Sequence, residues 1–571
     1  MPPLTRKQFF IALQTTSQPD ILDPSDDTIF KRYANKSLPV SKKSTSLSLD
    51  QYTGNWTEVE IKHLINRTMF GVRQQDINTL SAMTMQESVD LLLSAPAAIL
   101  NPPLNNYTSA GNQDVTGVPA GETWIDADFG SAGLNFSRAE SLKSWWIGQM
   151  INQGLSIIEK MLLFWHNHFA TQVLVLEDAR LSYKHFEKLR IKALGNFKNL
   201  VKEVTVDPAM LLYLNGYVNT KNHPDENYAR ELQELFTLGN NNKNNYNEDD
   251  VKSAARVLTG WSINSSVFES YFVPKWHDES DKQFSSFYNN KIITGRTGID
   301  GATETDELIN MIFEKSETAH FLCTKLYRFF VYYNITEDID THIIKPLSQI
   351  LIANNFEVKP VLDKLLKSQH FYDGYNIGCY IKTPLDFMVG ILRTFSVDMS
   401  NVNGVAERYS ILKTIHTYAE LNGLNLGDPP NVAGWPAYYR SPAYYQCWIN
   451  SSTFPARMQF SDALLIDGLD TGTNTPIFVD VIKFAEKCPN VADPRLLINW
   501  MVTILLGIDI AETQKSSLIG ILLSGQVTPS YWTEAWKAYI ADPSEMNRNI
   551  IQARLRSLLI ALLRLPEFHL C

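Results

Sequence analysis

Ser156-Ile157-Ile158-Glu159-Lys160-Met161-Leu162-Leu163-Phe164-Trp165-His166-Asn167-His168-Phe169-Ala170-Thr171 decides the fold class. Ile157, Ile158, Met161, Leu162, Trp165 and Phe169 recur at three- and four-residue spacing, and further apolar residues fill the other faces, so the segment reads as a helix buried on most sides. Downstream, residues 222 to 260 read as an αα-hairpin. Asn222-His223-Pro224-Asp225 supplies caps and an early proline, Leu232, Leu235, Phe236 and Leu238 form an apolar stripe, and Gly239 ends it. Asn247-Glu248-Asp249-Asp250 then opens a second helix that runs to Gly260. Aromatic and β-branched residues between Val267 and Thr294 predict a small β element, and the last hundred residues return to helix. No repeat of 20 to 50 residues is visible, which argues against a solenoid. The fold class is therefore mainly α, a large multi-helix single-core domain with αα-hairpins and a small β element near residues 267–294.

The 571 residues, 44% hydrophobic, suffice for a sizeable core. A stretch rich in Ser, Thr, Lys and Gly from Ser37 to Thr57 divides an N-terminal extension and linker, 1–56, from a helical domain, 57–571. The Gly/Pro-rich run from Asn101 to Asn135 is too long for a simple connection and reads either as an ordered lid or as a mobile insertion. The net charge of −10, without a Lys/Arg-rich run, disfavours nucleic acid as a partner. Five scattered cysteines with no C-x-x-C pair encode neither a disulfide framework nor a Cys-type zinc site. Apolar runs fall short of a membrane span, and the N-terminus lacks the h-region of an export signal, so the sequence predicts a soluble protein, cytoplasmic or exported with a partner.

Several local patterns resemble the bacterial domain-of-unknown-function 1800 family: His63-Leu64-Ile65-Asn66-Arg67-Thr68-Met69-Phe70-Gly71, Phe164-Trp165-His166-Asn167-His168-Phe169-Ala170-Thr171, and Glu226 through Gly239. Ala254-Ala255-Arg256-Val257-Leu258-Thr259-Gly260-Trp261, His277-Asp278 with Lys282, Lys382-Thr383-Pro384 and Gly434-Trp435-Pro436 continue the likeness, which spans about residues 57 to 569. The resemblance implies one large helical domain, often encoded beside a sulfatase- or phosphatase-like protein that carries its own export signal, and it implies no established activity. Two positions depart from the pattern: Phe236 and Phe330 stand where relatives often carry His.

Candidate site residues follow from side-chain chemistry. His166 and His168, two apart on a helix, point to nearly opposite sides and cannot share one metal ion. Asn227, Glu231 and Glu234, at i, i+4 and i+7, place an amide and two carboxylates on one face, able to ligate a cation or hold a general base. Arg230, or Arg256 on the paired helix, could instead tie those carboxylates into an ion-pair network. His277-Asp278 reads as a site loop in which the Asp orients the ring. His168, Glu231, Glu234 and His277 together form a candidate centre for a divalent metal ion or a polar substrate, with Asp278 as a further catalytic candidate. Between Gly427 and Ser451, dense proline and aromatic residues, Trp435 and Tyr439 above all, predict an exposed surface for a glycan or a protein partner. Two Glu-x-x-His pairs, Glu60 to His63 and Glu317 to His320, raise a ferritin-like di-iron alternative. Serine-hydrolase, P-loop, dinucleotide and H-E-x-x-H motifs are missing. Two functions stay open: a metal-assisted or acid/base hydrolase-like protein acting on a polar or glycan-type substrate, and a non-catalytic binding or assembly partner of the sulfatase/phosphatase-like protein.

Overall fold

The computed structural model describes residues 46–94, 100–109, 113–240, 246–264, 267–399, 402, 404–472 and 476–571. Most of the expected N-terminal extension therefore lies outside the described residues. Ser46 onward is held by the segment that follows Leu366. The Gln369 and His370 backbone N–H groups donate to Asp50 O at 2.8 Å and Ser48 O at 3.1 Å, and Leu49 is buried.

The chain is mainly α, as its periodicity predicts. The deciding segment forms a helix over Ile158–His168 in which every residue is buried. It packs against the helix Ala179–Ile191, which also meets the long helix Ala132–Asn152. That long helix in turn packs on Val405–Leu421. Apolar side chains from Leu49 to Cys571 belong to one continuous cluster, so helices from both ends of the chain share a core. Buried cations fasten helix ends across it. Arg67 donates to Phe329 O at 2.8 Å and Phe330 O at 2.9 Å, and Arg393 reaches Ile151 O at 2.8 Å and Asp76 at 3.3 Å. Lys160 pairs with Asp386. One packing contact needs bare backbone: a Cβ on Gly71, whose φ is +76°, would stand 2.4 Å from the Gly390 Cα.

The long Gly/Pro-rich stretch is ordered where it is described. Arg138, fully buried, donates to Asp128 O at 2.7 Å and Thr116 Oγ1 at 2.8 Å and faces Asp114, pinning the stretch to the long helix. The expected β element consists of two antiparallel pairs: β1 (Trp261–Asn264) with β2 (Glu269–Phe272), and β3 (Lys282–Gln283) with β4 (Ile292–Ile293). No helix among the described residues is long and apolar enough to cross a membrane.

Candidate functional site

The hairpin builds the site. Asp225 caps its first helix, Glu226–Glu231, through the Asn227 N–H at 2.8 Å. Asn247 caps the second, Glu248–Val257, in a capping box with Asp250, a contribution of about 1 kcal/mol. Between them the first helix widens into a π-helical turn, Leu232–Thr237, before Gly239 ends it at φ +78°. The π turn is invisible in the apolar stripe and often marks a functional site.

His168 does not join the two glutamates. Its Nε2 meets Phe236 O at 3.0 Å, and Lys325 Nζ donates to its Nδ1 at 3.0 Å while also reaching Leu235 O at 3.1 Å. These carbonyls belong to the last turn of the helix, where no intrahelical donor remains, so His168 and Lys325 act as its cap. Burial, followed by the charge of Lys325, pushes the His168 imidazole well below its usual range, keeping it neutral. Loss of hydration, then the nearby Arg328, lowers the Lys325 amine to about 7.

His277 belongs to a second closed cluster. Its Nδ1 meets Thr259 O at 2.9 Å, and Nε2 stands 3.1 Å from Glu304 Oε1, a close polar contact outside hydrogen-bond alignment. Glu304 accepts from Lys282 Nζ at 2.6 Å and from the Arg296 N–H at 2.7 Å. Burial alone would raise the Glu304 carboxyl; His277, Lys282 and the Arg296 amide outweigh it and hold the carboxyl below its usual range. His277, Lys282 and Glu304 are all fully buried. Asp278 accepts from Arg256 Nε at 2.7 Å and the Ser280 N–H at 2.9 Å, and these bonds overcome its burial and depress its carboxyl. Arg256 is thus committed to Asp278, Ser280 and Asp281 O rather than to the glutamate face.

The four-residue metal centre expected from the sequence does not assemble. Both ring nitrogens of His168 and of His277 already face protein groups, and the described residues include no cluster of three or more His, Cys, Asp or Glu placed to hold a metal ion. The di-iron alternative fails likewise: Glu60 closes the capping box of Thr57, and His320 Nε2 faces Asp340 at 2.5 Å.

What remains open is the glutamate face. Glu231 and Glu234 are partly exposed, and neither forms an ion pair among the described residues. Arg230 turns to Glu226 at 3.1 Å and Glu248 at 2.7 Å, while Glu234 accepts from Asn240 Nδ2 at 2.9 Å. Asn227 Nδ2 donates to Leu214 O at 3.4 Å. Burial first and the charge of Glu234 second raise the Glu231 carboxyl, with Arg230 opposing them. Two phenols feel the same charges. Tyr213 is raised to about 12 by burial, Asp428 and Glu231, and Tyr246 is raised by burial and Glu234. Sequence reasoning missed both tyrosines, together with Lys325 and Glu304. Lys282 did stand beside the quoted His277-Asp278, whereas nothing in the sequence singles out Glu304.

Trp435, expected at the surface of the aromatic loop, belongs to the core. Trp435 is only 1% exposed, its backbone N–H donates to Asn167 Oδ1 at 2.9 Å, and its ring lies 5.6 Å from that of His166. A Cβ on Gly434 would meet Asn167 Oδ1 at 2.3 Å, so glycine is required where the loop crosses the helix end. Tyr439 alone of the two named rings is exposed, at 38%, and its hydroxyl accepts from Asn431. His166 sits among Trp146, Phe186 and Trp435, lowered by burial and then by His185. No curated protein and no solved structure matches the chain. The model of DUF1800, a protein family of unknown function, matches residues 63–570, nearly the whole chain, and the protein belongs to that family.

Proposed function

We propose that the protein is an acid/base hydrolase-like enzyme acting on a polar or glycan-type substrate, with Glu231 and Glu234 as its working pair. The observation that supports this reading is the partly exposed carboxylate pair on the π-turned helix, unpaired with any described cation, in which burial and the neighbouring charge raise Glu231. Carboxyls whose environments differ divide the labour of hydrolysis. A protonated Glu231 gives its proton to the leaving oxygen while Glu234 takes one from the attacking water. Tyr246, whose phenol stays protonated, is a hydrogen-bond donor for substrate hydroxyls, whereas the Tyr213 hydroxyl already donates to Gln172 Oε1 at 3.2 Å.

Hydrolysis of a panel of 4-nitrophenyl glycosides and phosphoesters tests the proposal. Glu231→Gln is expected to lower turnover about 100-fold or more, the usual size of a general-acid contribution, with the fold kept. Full activity in that variant, or no turnover of any panel member by the parent, would overturn it.

A second reading, the non-catalytic binding or assembly partner of a separately encoded sulfatase/phosphatase-like protein, draws support from the internal use of His168, His277, Asp278 and Arg256. Co-expression of the two chains followed by size-exclusion chromatography tests it. Separate elution would count against it.

A further inference from the structure

The first quoted motif, starting at His63, plays no part in the glutamate site, yet it walls a separate cleft of about 540 Å³. Lys62, His63 and Asn66 of the helix Glu58–Thr68 line it, opposite Thr503, Leu506 and Asp509. Lys62 is only 6% exposed, and its amine donates to Leu506 O at 2.7 Å and to Thr503 O. These are two acceptors. An ammonium has three N–H bonds to satisfy, whereas a neutral amine has two and keeps its lone pair free.

From this cleft and its two-acceptor amine we infer a carbonyl-binding site, in which Lys62 forms a Schiff base with a small aldehyde or ketone. The surroundings suit a neutral amine. Burial first, and the charge of Lys382 second, lower Lys62 to about 7, against the opposing pull of Glu58. A desolvated lysine beside another cation is one established route to a nucleophilic amine. Asp509 and Lys515 also line the cleft and neutralise each other at 3.0 Å, and Cys571 lines it as well. The plain alternative is a structural cap: Lys62 meets carbonyls at the C-terminal end of the helix Pro494–Leu505, whose dipole favours an ammonium. Burial and the charge of Lys382 act against an ammonium in that seat.

His63 supplies the proton path. Its Nε2 meets Phe371 O at 3.0 Å, which places the ring hydrogen there and leaves Nδ1, without a partner among the described residues, as an acceptor. Burial, then Arg67, lowers this imidazole to about 3, so it is neutral. In the reaction the Lys62 lone pair forms an N–C bond to the carbonyl carbon, and the C=O π electrons move to oxygen. His63 Nδ1 carries one proton from nitrogen to that oxygen, giving the carbinolamine, and then a second from nitrogen to its hydroxyl, which leaves as water as the C=N bond forms.

Propanal with sodium cyanoborohydride at pH 7.5 traps such an imine as a propyl-lysine, located by peptide mass spectrometry on the full chain. Lys62 is expected to be labelled at least ~10-fold faster than the exposed Lys252, because its neutral fraction is far larger. The rate at Lys62 is expected to rise with a midpoint near 7 and to fall several-fold in His63→Gln. Labelling no faster than at Lys252, or rising only above about pH 9 as an ordinary lysine would, would show that Lys62 is merely a helix cap. An unchanged rate in His63→Gln would remove His63 from the proton path.

Discussion

Two carboxylate groupings of opposite character lie on and beside the helical hairpin. On the side of β3, Glu304 and Asp278 are surrounded by His277, Lys282, Arg256 and backbone amides, and both are held below their usual range. On the open side, Glu231 and Glu234 face one another with no described cation between them, and Glu231 is held above its range. The residue type is the same, so the partners decide the role. A carboxylate surrounded by donors is spent on stability, and one left beside another carboxylate is available for proton transfer.

Acid should separate the two sides most strongly. His63, His168, His416 and His569 are buried and neutral, with ring pKa values depressed by burial. A depressed folded value means that the unfolded chain takes up the proton first, so stability is present above about 6.5 and is lost as pH falls. Each such histidine costs about 2 kcal/mol between pH 6.5 and 5. Urea midpoints measured at pH 7.5, 6 and 5 are expected to fall steeply, with Glu304 and Asp278 adding their loss only below about 4, the ordinary carboxylate range. A flat profile from 7.5 to 5 would contradict the neutral burial of these rings.

Removing one partner from the closed side is the next largest effect. Glu304→Ala leaves Lys282 buried without its carboxylate, which typically costs ~3–5 kcal/mol. Urea unfolding at pH 7.5 reads this directly. A loss below about 1 kcal/mol, the scale of an exposed pair, would erase the contrast with the glutamate face.

The aromatic loop contains the same contrast within five residues. Trp435→Ala is expected to lower stability by ~3–5 kcal/mol as a buried ring lost from the core, and Tyr439→Ala to stay within about 0.5 kcal/mol as a surface change. Paired thermal melts check both, and equal effects would mean that the two rings share one environment.

Helices and their caps were legible because their signals are local. Asn247 with Asp250, Gly239 and the spacing from Ile157 to Phe169 each lie within a few turns of what they control. The directions of His166 and His168 followed from helix geometry alone, and the rings do point apart, one to Trp435 and the other to Lys325. The site was less legible because its contacts are distant. Lys325 is 157 residues from His168, and Glu304 carries no spacing signature toward His277. The sequence marks Trp435 as aromatic and proline-flanked, and that composition is the same for a ring facing solvent and for one seated on Asn167.

The π turn at Leu232–Thr237 gives the hairpin a phase shift. Each i→i+5 bond takes one residue more than an α turn, so the helix before it and the carbonyls after it are out of rotational step. Excising a single residue there would restore the α period and swing Leu235 O and Phe236 O by roughly 100°, away from Lys325 and His168. In this helix a one-codon deletion would therefore act at a distance, uncoupling the glutamate face from the buried histidine helix without altering His168 or Lys325 themselves.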